Sequence, residues 1–118
     1  MSYTYLASPY SHRNPTVRGA RYHAALNATA ALLKQRHWVY SPIVHCHALA
    51  YTHKLPTDAG FWREYNLIML KPASGLIVLT IAGWDISLGV QGEIAFANTH
   101  SIPIKHLSPH NIAAGFAT

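Results

Sequence analysis

Acidic side chains are scarce in this chain. Asp58, Glu64, Asp85 and Glu93 are its only carboxylate side chains, so the formal charge of +5 over 118 residues reflects missing acids more than abundant bases. The Lys and Arg residues are scattered and never form a run. A basic protein can bind nucleic acid electrostatically. Without a basic cluster or a reading motif, an anionic small molecule is at least as good an expectation, and nucleic acid ranks low among the partners. A single cysteine, Cys46, excludes an internal disulfide and fits a reducing cytoplasm. The longest apolar stretch, Gly75 to Gly83, falls far short of the about 20 residues that a membrane helix needs. The opening MSYTYLASPY has neither a basic n-region nor a cleavage pattern, so secretion is not expected and a cytoplasmic location is. Repeats and low-complexity tracts are also missing. Half of the chain is hydrophobic and only 11% is charged, which argues against disorder and for one domain over residues 1–118.

Strands and helices alternate along the chain. Tyr3 to Ser8 is β-prone and stopped by Pro9, which predicts a strand. Asn14-Pro15 offers an N-cap followed by proline at the first helical position, and apolar residues at helical spacing extend this helix to about Arg36. Trp38 to Ser41 predicts a short strand whose Trp38 belongs to the core. Residues 43–60 are expected as a long loop, and a loop of that length in a small domain hints at binding. Phe61 to Leu70 suits a helix packed by Phe61 and Trp62. The continuous apolar run from Gly75 predicts a strand buried on both faces. A helix from Val90 to Asn98, a strand over Ile102 to His106 and a helical turn after Pro109 complete the order. This alternation predicts an α/β fold: a three-layer Rossmann-like (flavodoxin-like) sandwich with a four- to five-stranded parallel sheet. Ligands bind such folds outside the carboxyl ends of the strands. That rule points to Ser8–His12, Ser41–His47, Ile81–Gly89 and the residues after His106.

Glu93 stands where an apolar residue belongs. On the helix from Val90 to Asn98 it shares the inward side with Val90, Ile94 and Ala97, while Gln91, Ala95 and Asn98 face outward. Burying an unpaired carboxylate is costly. Either Glu93 caps amides or pairs with an arginine, or the helix N-terminus keeps it ionised and its partners aim it into a pocket. Gly89 and Gly92 flank the turn, and Ser87 can cap the helix or bind an anion beside free backbone N–H groups.

These segments resemble the nucleoside 2-deoxyribosyltransferase-like superfamily, most closely its short phage and bacterial branch. The resemblance runs in order over nearly the whole chain: YLASPYS, VYSPIVHCHALA, FW, and GLIVLTIAGWDISLGVQGEIAFA. It implies that Glu93 is a nucleophile that attacks C1′ of a (2′-deoxy)nucleoside 5′-monophosphate, releasing the base to water or to exchange. It implies that Tyr5 orients Glu93, and that Ser87 and Gly89 hold the 5′-phosphate with help from the Tyr10–Asn14 turn, Ser11 included. Ser8 and Tyr10 fall at the substrate. No metal or redox cofactor is implied, and a homodimer or larger homo-oligomer is. The family commonly carries an aspartate where Asn66 stands here, and asparagine can hydrogen-bond but cannot carry charge or act as a base. A catalytically silent, nucleotide-sequestering protein is therefore the alternative.

Further residues leave two readings open. His45 and His47 point the same way if their segment is extended, which suits contact with a base or phosphate; a structural role for one of them stands beside that. The His45-Cys46-His47 triplet lacks the further ligands of a zinc site, so no metal is expected. Cys46 has no partner pattern for a thiolate nucleophile. Trp84 can stack on a nucleobase or cover the core, and Asp85 is a substitute for the missing aspartate if its loop comes close.

Overall fold

In the computed structural model, which describes residues 1–115, the elements are β1 (Thr4–Ala7), α1 (Pro15–Lys34), β2 (Val39–Tyr40), α2 (Pro42–His53), α3 (Ala59–Leu70), β3 (Gly75–Leu79), α4 (Leu88–Thr99), β4 (Ile104–Leu107) and α5 (Pro109–Ala113). The last three residues of the expected domain lie outside the described residues. Every helix begins at a side-chain cap. Asn14, Ser41, Asp58, Ser87 and Ser108 each accept a hydrogen bond from a backbone N–H of the first turn, satisfying a donor that the helix itself leaves free.

The sheet has the order β2-β1-β3-β4 and is parallel throughout, with Leu6 beside Ile77 and Ile77 beside Lys105. Alternation along the strands sends side chains to two cores. Tyr5, Ala7, Leu76 and Val78 pack on one face with Leu70 of α3 and Val90 and Ala97 of α4. Leu6, Ile77 and Leu79 pack on the other with Ala28 and Leu32 of α1 and Ile112 of α5. Both faces are covered, which gives the three-layer Rossmann-like arrangement expected from the sequence. From β1 the chain moves outward to β2, then returns past β1 to β3. Connections from the adjacent strands β1 and β3 therefore diverge, opening a crevice at their carboxyl ends.

Three expectations need correction. Most of the segment expected as a loop is α2, whose cap Ser41 and first-turn Pro42 repeat the signature that starts α1. Pro42 is thus a helix start as well as a strand stop. Helical geometry also removes the extended pairing of His45 with His47, because residues two apart diverge around a helix. Trp38 is 47% exposed and does not belong to the core; of the two residues expected to pack α3, Trp62 is buried and Phe61 is 50% exposed.

Candidate active site

Glu93 is buried in the second turn of α4, with Tyr5 of β1 beneath it. The Tyr5 hydroxyl donates a hydrogen bond to Glu93 Oε2. Burial pushes the Glu93 carboxyl up to about pKa 7, while the Tyr5 bond pulls it down. Tyr5 itself is raised, chiefly by burial and then by the neighbouring carboxylate. The expectation that the helix N-terminus keeps Glu93 ionised needs revision. Ser87 is the cap and Glu93 lies six residues on, beyond the first turn where the dipole acts strongly. At neutral pH this carboxyl is poised between its two forms.

Glu93 forms the floor shared by two adjoining cavities. The larger, about 200 Å³, runs between α3 and α4, with Gly60, Arg63, Asn66, Gly89 and Gly92 among its lining residues. The smaller, about 40 Å³, reaches the end of β1 and includes Ser8, Tyr10, Ser11, Cys46, Asp58, Asn66 and Ser87. Residues from the first turns of α2, α3 and α4 (Pro42, Ala59 and Gly89) all line the smaller cavity. Three helix N-termini thus bring partial positive charge to one place, which favours an anion. Ser87 Oγ accepts from Val90 N at 3.2 Å, leaving its own hydrogen for a ligand. Ser8 Oγ is buried without a hydrogen-bond partner, a costly condition that a ligand would relieve.

The β1–α1 loop is tied down around this cleft. Ser11 Oγ donates to Thr57 O at 2.8 Å, and Arg21 Nη1 donates to Ser11 O at 2.9 Å. The Arg21 guanidinium also lies against Gly83, which has φ +93 and where an added Cβ would meet Nη2 at 2.4 Å. Glycine there is favoured by the backbone conformation, whereas the flexible end of Arg21 could shift from an added Cβ. Tyr10 Oη is 2.8 Å from His47 Nδ1, and the His47 ring stacks on Tyr22 with centroids 3.8 Å apart. Burial first, then the charges of His23 and Arg18, lower the His47 pKa, which favours its neutral form.

The structure brings Glu93, Tyr5, Ser8, Tyr10, Ser11, Asn66, Ser87 and Gly89 together at this cleft. His47 stands one layer behind, against Tyr10. Three expected residues are elsewhere. His45 shares a hydrogen bond with Tyr65 (3.0 Å) and stacks on it, lining an outer groove. Trp84 packs on the core and makes an edge-to-face contact with His106, centroids 5.1 Å apart, so its covering role holds. Asp85 is exposed and lines neither cavity, which removes it as a substitute for the absent aspartate. Sequence reading missed Asp58 and Arg63. Arg63 precedes Asn66 by three residues, a spacing that puts both on one face of α3. Among the described residues no group of three or more His, Cys, Asp or Glu could hold a metal ion.

Residues 2–108 match the family described as Domain of unknown function (DUF1937). The chain belongs to that family. No curated protein matches the chain. The DUF1937 match spans β1 through β4 and so contains the entire cleft; among the described elements only α5 lies beyond it.

Proposed function

We propose that this DUF1937 domain cleaves or exchanges the N-glycosidic bond of a (2′-deoxy)nucleoside 5′-monophosphate through Glu93. The observation that carries the reading is the buried Glu93 carboxylate, held by the Tyr5 hydroxyl on the floor of a cleft ringed by helix N-termini. In its ionised form Glu93 attacks C1′ as the base departs, and water or a second base then resolves the glycosyl ester. Ser87 and Gly89 at the start of α4 suit the 5′-phosphate, and the unpartnered Ser8 hydroxyl suits a sugar or phosphate oxygen. The ordered resemblance to nucleoside 2-deoxyribosyltransferase-like proteins supports the same assignment.

A homo-oligomer belongs to this proposal. The larger cavity, at about 200 Å³, is below the roughly 300 Å³ and above usual for small-molecule sites. Leu88 at its rim is 85% exposed and nearby Ile86 is 79% exposed, side chains that a second copy would cover. A cytoplasmic location fits a nucleotide substrate; among the described residues no helix is long and apolar enough to cross a membrane.

Asn66 favours a second reading. It lines both cavities at the position of a carboxylate in the resembled family, and supplies hydrogen bonds without charge. A domain with this cleft and no turnover would sequester a nucleotide. Incubation with a panel of deoxynucleoside and ribonucleoside 5′-monophosphates, followed by chromatography for free base, separates the two. Base release by the wild type supports the glycosidase; tight binding with no base released supports the sequestering protein.

A further inference from the structure

In the glycosidase reading the departing base carries away a bonding electron pair, and a group in the cleft must meet that charge. Asn66 has no acidic proton to give, and Glu93 is occupied as the nucleophile. Arg63 is the cation that lines the larger cavity beside them. Its guanidinium lies over α4 at Gly92, with Nη1 only 2.9 Å from the point that a Cβ would occupy. Glycine at this position lets the cation approach the residue immediately before Glu93. Among the described residues no hydrogen bond or ion pair engages the guanidinium, so its donors are available to a ligand.

We propose that Arg63 is the leaving-group residue of the site, its guanidinium facing the departing base and holding the negative charge that develops there. The inference rests on the glycosidase reading. As the bond from a Glu93 oxygen to C1′ forms, the C1′–N bond breaks and its electron pair passes to the base nitrogen. Conjugation spreads that pair onto a ring nitrogen or carbonyl oxygen next to the guanidinium. The base takes a proton from water after departure. A second water attacks C1′, frees the Glu93 carboxylate and releases a proton that neutralises the hydroxide. The preferred substrates are nucleotides whose heterocycle has an acceptor atom conjugated with the departing nitrogen. Because arginine stays charged throughout the working range, leaving-group departure adds no titrating acid of its own.

The test uses 2-deoxyribose 5-phosphates with leaving groups of graded acidity, from 4-nitrophenol to unactivated bases, against wild type, Arg63→Ala, Arg63→Lys and Gly92→Ala. In Gly92→Ala the new Cβ displaces the flexible end of Arg63 without removing its charge. Arg63→Ala is expected to lose on the order of 10²-fold in kcat/KM on the least acidic leaving group, the scale of one transition-state donor, and progressively less as acidity rises. The slope of log kcat/KM against leaving-group pKa therefore steepens, with Arg63→Lys and Gly92→Ala intermediate. Equal slopes in wild type and the Arg63 variants overturn this assignment and leave the glycosidase reading in place. No release by the wild type from any member of the series overturns both.

Discussion

At the scale of single residues, the role proposed for Glu93 couples stability to reactivity. Its folded pKa of about 7 is above the ordinary 4.5, so the folded state holds a proton that the unfolded chain has lost. The folded state binds more protons across that window, and stability falls as pH rises through it. The shift corresponds to about 3 kcal/mol at most. Glu93→Gln removes the penalty. Urea unfolding should show wild type losing stability relative to the variant between about pH 4.5 and about pH 7, the His47 contribution being common to both; parallel profiles would contradict the buried carboxyl. In the proposed reaction the dependence runs the other way, because an attacking carboxylate must be ionised. Base release is expected to fall as pH drops below about 7, the very range in which the fold is strengthened. Tyr5→Phe takes away the hydrogen bond that lowers the Glu93 pKa. Its acid limb should therefore move to higher pH, with a stability change of about 1–3 kcal/mol; an unmoved limb would show that Tyr5 does not set the ionisation.

At the scale of elements, the helix starts decide both fold and cleft. Ser87→Ala removes the cap of α4 and should cost about 1 kcal/mol. If Ser87 also donates to a phosphate, the variant loses affinity for nucleoside monophosphates while affinity for nucleosides changes little; isothermal titration with both separates capping from binding. Much of this was legible in the sequence. Asn14-Pro15 announces α1, the unbroken run Gly75 to Leu79 announces a strand covered on both faces, and the inward position of Glu93 follows from its spacing to Val90 and Ala97. α2 was not, although its buried Ile43, Cys46 and Ala50 recur at helical spacing, because histidines interrupt the pattern and Pro42 also ends a strand. Arg63 was obscured for another reason. Its place in the cleft depends on Gly92 of a different helix, a contact between elements that no local pattern records. Trp84 and Asp85 follow β3 as the sheet rule requires, but the turn there sends the tryptophan back onto the core.

For the molecule as a whole, the β2-β1-β3-β4 order gathers the cleft from distant parts of the chain: Tyr5 and Ser8 at the start, Asn66 in the middle and Glu93 near the end. An open rim bearing Ile86 and Leu88 is a feature that an isolated copy leaves in water. Leu88→Asp is expected to shift the sedimentation profile toward a smaller species and to reduce base release together; loss of neither would remove the second copy from the site. The central claim is covalent participation of Glu93, and it is tested most directly by quenching wild-type protein during turnover of a deoxynucleoside 5′-monophosphate and mapping its peptides by mass. A deoxyribose 5-phosphate ester on Glu93, with base release reduced at least about a thousandfold in Glu93→Gln, is the predicted result. Base release that continues unchanged in Glu93→Gln, with no modified peptide in the wild type, would contradict the account.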